Sequence, residues 1–215
     1  EDVWFIENGE QNKSSFHIPD QVRTRLPLRR VHRQQPGQAA ARQWLVEKIG
    51  GGLIVFLDDD VVVEPTSVVA YSKAAVLKGR GYVYGGPLAV EYETRPPDWL
   101  MWHLPRSAKG WEPDDPDEDL NRHPWFSGAN FAAFCEDIID AGGIDCRLGP
   151  GANTSGTALN PTGHEWELQR RMRGRGGRLQ FVPEAKVIHH VPHECCSPQW
   201  ALHRIYRNGY TAGLL

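Results

Sequence analysis

The stretch Leu53 to Val63, LIVFLDDDVVV, constrains the fold more than any other part of the chain. Five consecutive apolar residues, preceded by Gly50, Gly51 and Gly52, run without alternation into Asp58, Asp59 and Asp60, and three valines follow. A continuous apolar run this short reads as a strand buried on both faces, the kind found in the middle of a parallel sheet. Burying a strand does not require three carboxylates at its end, where mutual repulsion opposes ionising all of them unless a cation sits among them. A hard divalent ion, Mg²⁺ or Mn²⁺, held by oxygens and completed by a phosphate-bearing ligand, answers that repulsion. Position agrees, because ligands of open α/β sheets gather at the carboxyl ends of the strands. The triplet also reads as an Asp-rich exit to a turn, with one aspartate capping the next helix.

The flanking periodicity alternates strand and helix. Val3 to Ile6 reads as a strand ended by Glu7-Asn8-Gly9, residues 10 to 30 as a polar excursion, and Leu28 to Val31 as a short edge strand. Ala40, Ala41, Trp44, Leu45, Lys48 and Ile49 recur at helical spacing up to the glycines, so a βαβ unit delivers the aspartates. Glu64-Pro65-Thr66 opens another helix, predicted to bury Val68, Val69, Ala75 and Val76, and Tyr82 to Tyr84 reads as a strand. Residues 91 to 125 keep no period and carry Trp99, Trp102, Trp111 and Trp125. They read as a long loop whose indoles either pin it to the core or face a substrate.

Apolar structure resumes at Phe126, a helix is predicted from Cys135 to Ala141, and Gly149 to Gly163 is glycine-rich. In the helix that follows, Glu165, Leu168 and Met172 share a face, so Glu165 is directed inward. It is a candidate general base, or a residue serving the helix dipole. Glu167 and Arg171 read as a surface i,i+4 pair. Strands at Leu179 to Val182 and Lys186 to Val191 lead to His189-His190, with His193, Cys195 and Cys196 behind. That spacing fits no tetrahedral zinc pattern, and one strand-borne histidine completing the aspartate-bound metal is the more economical reading. Trp200 to Tyr210 reads as an amphipathic helix.

Composition narrows the function classes. With 24 basic and 27 acidic side chains there is no bulk electrostatic footprint for nucleic acid. Four cysteines without a CxxC or a framework favour a reducing, cytoplasmic setting. No apolar run is long enough to span a membrane, which leaves peripheral association with a membrane surface open.

Taken in order, the segments Ile6 to Gly9, Pro36-Gly37 through Arg42, Phe56 to Asp60, Gly128 to Phe131, Gly142 to Asp145, Gly163 to Leu168 with Arg171, and Pro183 to His189 resemble the family-2 glycosyltransferases of the GT-A fold. The resemblance implies one Rossmann-like α/β domain over residues 1–215 with a mostly parallel central sheet. Residues 1–90 would form its nucleotide-binding part and 91–215 its acceptor-binding and catalytic part. It implies an inverting, metal-dependent transfer of a sugar from a nucleotide-sugar donor to a hydroxyl of a glycan, a lipid-linked or a small-molecule acceptor. On this reading Glu7, Arg42, Asp58 and Asp59 face the donor, and Asp60 and His189 hold Mn²⁺ or Mg²⁺. Glu165 deprotonates the acceptor, which Asn130, Trp99 and Trp125 contact. The family has a further first strand ahead of the segment that starts here, so the chain is expected to be a piece of a longer product or to fill that place otherwise. His164 stands where the family has an acidic residue. A nucleotide- or sugar-binding domain without turnover is the alternative.

Overall fold

Glycine punctuation and apolar alternation divide the chain into short elements in the computed structural model, which describes residues 2–9, 20–152 and 161–215. β1 (Val3–Asn8), α1 (Asp20–Arg25) and β2 (Leu28–Arg33) come first, then α2 (Gln38–Ile49), which ends on a left-handed Gly50. β3 (Leu53–Leu57) and β4 (Val61–Val63) flank the three aspartates, and α3 (Ser67–Lys78), β5 (Tyr82–Gly85) and β6 (Leu88–Tyr92) follow. The helices α4 (Asp98–Met101), α5 (Arg106–Lys109) and α6 (Pro116–Arg122) precede β7 (Asn130–Phe134) and α7 (Cys135–Asp140). After them stand α8 (His164–Gly174), β8 (Arg178–Phe181), β9 (Val187–Val191), a 3-10 turn at His193–Cys196 and α9 (Pro198–Leu214).

The fold is α/β, and its four-stranded sheet has the order β3-β7-β5-β8. β7 runs antiparallel to both neighbours while β5 and β8 are parallel, so the sheet is mixed by one strand. A second sheet, β4-β9-β6, sits beyond the end of β3, and β1 pairs in parallel with β2 alone. Among the described residues no strand pairs with the second edge of β1 or of β3. Trp4 of β1 meets Trp44 of α2 edge-on at 6.1 Å, which seats the β1–β2 pair on that helix. In the main core Phe56 of β3 stacks on Phe131 of β7 with ring centroids 4.7 Å apart, a contact that adds about 1 kcal/mol beyond the area it buries.

Several sequence expectations are corrected by packing. On α3 the buried side chains are Ser67, Ala70, Tyr71 and Ala75, whereas Val68, Val69 and Val76 are exposed. Both faces of that helix carry apolar residues, and the one that turns inward is the one whose tyrosine finds a buried partner. The segment 91–125 is not a structureless loop but holds three short helices. Glu167 and Arg171 are not a surface pair: Glu167 is 4% exposed, and Arg171 also reaches the carbonyls of Ala141 and Gly143. The pair ties α8 to the turn that ends α7.

Asn130 is the clearest correction. It was expected to contact an acceptor, yet its side chain is fully buried and has no face left for a ligand. Its amide donates to the carbonyls of Pro87 (3.0 Å) and Ala185 (2.8 Å) and accepts from the Tyr71 hydroxyl (2.7 Å). One side chain thus fastens β7 to α3 and to two loops. Asn130→Ala takes away the hydrogen bond to the Ala185 carbonyl and one of two partners from the Pro87 carbonyl, which also accepts from the Val187 amide, and from the Tyr71 hydroxyl. It is expected to lower stability by about 3 kcal/mol in urea denaturation, and an unchanged midpoint would remove Asn130 from the fold's supports.

Candidate active site

The register of the small sheet makes the first part of the site. β4 runs antiparallel to β9 with Val61 opposite His189, and the His190 amide donates to the Asp60 carbonyl at 2.9 Å. His189 Nε2 therefore lies 3.2 Å from Asp60 Oδ2. A slip of one residue would turn His189 to the other face of the sheet. Burial alone would lower the His189 pKa, but the Asp60 carboxylate outweighs it and raises it. In return the His189 ring holds Asp60 below the ordinary carboxylate range. A carboxylate oxygen beside an imidazole nitrogen suits a small divalent ion. Neighbouring ligands of an octahedral ion with bonds of about 2.0–2.1 Å stand about 3 Å apart, close to the 3.2 Å between these two atoms.

The second part is built round Arg42, 7% exposed on α2. Its Nη2 donates to Asp58 Oδ1 at 2.5 Å and to the Gly128 carbonyl at 2.9 Å, and Gln38 Nε2 adds a bond to the same Asp58 oxygen at 2.7 Å. Burial raises the Asp58 pKa, Arg42 opposes this, and the charges of Asp60 and Glu165 add to the rise. Asp58 therefore feels carboxylates from two distant parts of the chain.

Arg42 Nη1 lies 3.1 Å from His164 Nε2. A guanidinium only donates, so this nitrogen accepts and the His164 proton sits on Nδ1. Nδ1 in turn faces Glu165 Oε2 at 3.3 Å. Burial pushes the His164 pKa down to about 4, which keeps the ring neutral near pH 7. Burial would raise Glu165, but His164, the residue's own amide, Arg42 and Arg204 together hold it low. Gly163 starts α8 in the left-handed conformation (φ 79°), and Gly128 lets the chain pass so close that a Cβ there would stand 3.1 Å from the Glu165 Cγ. Glu165 is thus held as a largely buried carboxylate, its side chain 16% exposed, at the first turn of a helix.

Glu165 forms part of the wall of a cavity of about 220 Å³, together with Ser107, Trp125, Trp166, Arg204 and Asn208. Trp125 stacks with the Arg106 guanidinium at 4.8 Å, and Arg106 also donates to the Trp125 carbonyl and to Asp119. Of the tryptophans in the 91–125 segment, Trp111 is a core residue against Phe126 and Phe181, Trp125 faces the cavity, and Trp99 is exposed on α4 outside its lining. Glu7 lies at the end of β1 with its carboxylate gripped by Arg30 at 2.6 and 2.8 Å, beside Asn8, which accepts from the Gly37 amide ahead of α2. Asp59 is exposed. Sequence reasoning did not single out Arg106, Ser107, Trp166, Arg204 or Asn208. Trp166 adjoins the Glu165 motif, whereas nothing in the spacing of α9 distinguished Arg204 from the other basic residues of that helix.

Among the described residues one group of three metal-capable side chains occurs, Glu93, His193 and Glu194, all exposed, whereas Asp60 and His189 stand as a pair. Cys195 and Cys196 belong to no such group.

No profile of a known protein family matches the chain, and no curated protein matches it. Among solved structures, the crystal structure of GalNAc-T7 with UDP, GalNAc and Mn²⁺ superposes with a TM-score of 0.57 at 17% identity. The fold is of the GT-A type. The superposition covers 88% of this chain but 38% of the other, so the chain spans well under half the length of that protein. Asp58 at the strand end feels the charge of Glu165, which lines the cavity, although none of the three aspartates lines it. Among the described residues no helix is long and apolar enough to cross a membrane.

The neutral, buried His164 makes stability depend on pH. The unfolded histidine takes up a proton near 6.5 and the folded one only near 4, so stability falls as pH drops from about 6.5 to 4, by about 3 kcal/mol in all. His164→Gln is expected to remove that part of the slope in urea titrations across the window. The same slope in both proteins would show that His164 is not the group titrating.

Proposed function

We propose that the chain is an inverting glycosyltransferase of the family-2 kind, moving a sugar from a nucleotide-sugar donor to an acceptor hydroxyl with Glu165 as the base. The observation that carries this reading is the Glu165 carboxylate, ionised at the wall of a small aromatic-lined cavity and linked through His164 and Arg42 to the strand-end aspartates. Inverting displacement needs one base on the face opposite the leaving group and no nucleophile from the protein. In the proposed step Glu165 takes the proton of the acceptor hydroxyl as its oxygen bonds to the anomeric carbon. The bond from that carbon to the diphosphate breaks, and its electron pair leaves with the diphosphate.

Asp60 and His189 would hold a divalent ion, Mn²⁺ or Mg²⁺, which supplies charge neutralisation for the departing diphosphate. Asp58, oriented by Arg42 and Gln38, would meet the ribose or sugar of the donor. Glu7 and Asp59 would lie on the nucleotide side. The UDP, GalNAc and Mn²⁺ of the GalNAc-T7 structure support a nucleoside diphosphate donor and manganese. Trp125 and Trp166 would take the acceptor, with Trp99 outside the cavity. Exposed Trp99 on α4, Trp102 just after it, and Leu202, Ile205 and Tyr206 on α9 keep a lipid-linked acceptor and contact with a membrane surface within the proposal.

The β1–β2 pair, separate from the central sheet and carrying Glu7, favours one second reading, a nucleotide- or sugar-binding domain without turnover. The two part on a direct test. Nucleoside diphosphates and their sugars are screened by thermal shift with Mn²⁺, with Mg²⁺ and with chelator. A ligand at a hundred times its Kd adds about 2.7 kcal/mol, a shift of several degrees. Asp60→Ala is expected to abolish the metal-dependent part, and an unchanged shift refutes the metal role. Glu165→Gln is expected to keep donor binding and to lower acceptor-dependent turnover by at least about 100-fold. Normal turnover in that variant would sink the base assignment, while donor binding without turnover in the wild type would favour the silent domain.

A further inference from the structure

The cavity beside Glu165 holds two guanidinium groups in very different states. Arg106 is satisfied: it donates to Asp119 and to the Trp125 carbonyl and lies 4.8 Å from the rings of both Trp111 and Trp125. Arg204, in the second turn of α9, is not. Its Nε is buried without a hydrogen-bond partner, and among the described residues no carboxylate forms an ion pair with it. A buried donor atom with nothing to donate to calls for an explanation, and in a side chain that lines a cavity an ordered water, an ion or a ligand group can supply the missing acceptor.

The surroundings favour an anion. Arg204 is close enough to Glu165 to help hold that carboxylate ionised, and Arg207, one turn further along α9, feels the Arg204 charge in turn. Glu165 is the one carboxylate among the lining residues, against Arg106 and Arg204. The two indoles of Trp125 and Trp166 offer apolar surface of the kind that packs on the C–H faces of a sugar ring. At about 220 Å³ the space is smaller than the roughly 300–1,000 Å³ of sites for drug-sized ligands, and it suits a single ring.

We propose that this cavity takes an acceptor sugar bearing an anionic oxygen group, a carboxylate or a phosphate, which Arg204 binds while an acceptor hydroxyl meets Glu165. The proposal rests on the transferase reading above. An anionic oxygen could also come from the diphosphate of the donor, because Ser107 lines the cavity and its backbone adjoins His189 of the candidate metal pair. The acceptor is favoured because Arg204 shares the cavity with Glu165 and the two indoles, while Asp60 and His189 do not line it.

The test is calorimetric titration with methyl β-glucuronoside, glucose 1-phosphate and neutral methyl β-glucoside, each with and without UDP and Mn²⁺. One of the two acidic sugars is expected to bind wild-type protein at least about tenfold more tightly than the neutral glucoside. Arg204→Gln should erase that preference and leave the affinity for UDP with Mn²⁺ within about twofold, and Arg204→Lys, with charge but no fork, should restore it in part. Equal affinity for acidic and neutral sugars, or no binding of any, overturns the proposal; if UDP still binds with Mn²⁺, the transferase reading survives. An Arg204→Gln loss in UDP affinity as large as the loss for the acidic sugar assigns the guanidinium to the donor diphosphate and also overturns it. Failure of UDP to bind at all counts against the transferase reading, while the acidic preference measured without UDP still decides the pocket. Should Arg204→Gln not fold, the wild-type comparison of charged and neutral sugars decides alone.

Discussion

A single buried cation organises the site. Arg42 donates to Asp58, to the Gly128 carbonyl and to His164, and it lies over the rings of Phe56 and Phe131 at 5.3 and 6.0 Å. A guanidinium cannot give up its proton in a protein and offers five donors in a rigid fork, so each partner must present an acceptor in a fixed place. The end of β3, the turn before β7 and the start of α8 are thereby pinned to α2. The same fork determines which nitrogen of His164 carries the proton, and hence which group faces Glu165.

This chain of contacts joins two sides of the proposed reaction. In that proposal Asp58 would meet the donor and Glu165 the acceptor, and Arg42 and His164 lie between them. Because burial keeps His164 neutral down to about pH 4, its ring lies 3.3 Å from the Glu165 carboxylate without adding a titration of its own near neutrality. Asp60 and His189 are supplied separately, by the small β4-β9-β6 sheet, whose register sets them side by side. The wall of the cavity comes from later segments, between Pro105 and Ala212.

Legibility followed the reach of the interaction. The strand ending in three aspartates and the inward turn of Glu165 beside Leu168 and Met172 were readable, because each follows from periodicity or from the end of a strand, whereas the nearness of His189 to Asp60 was inferred from ligand chemistry and the family resemblance and is set by the β4–β9 register. The face of α3 was not readable, since valines lie on one side of it and Ala70, Tyr71 and Ala75 on the other. Asn130 was misread for a related reason. A buried amide and a ligand-facing amide look alike until the carbonyls of Pro87 and Ala185 and the hydroxyl of Tyr71 are found around it. Glu167 and Arg171 likewise show i,i+4 spacing whether they face water or the end of α7.

The sequence by itself determined the α/β alternation, the acidic strand end and the helix that carries Glu165. These depend on neighbours within a turn or a strand, where side-chain direction follows from backbone geometry alone. Only the tertiary structure decided that β7 runs against its neighbours, that Arg42 is the hub of the site, that Asn130 is a fastener, and that Arg204 enters the cavity with its Nε unpartnered. Each of these depends on which distant groups share one desolvated space. There a polar atom is stabilised or left unpaired by partners tens of residues away, and local spacing carries no record of them.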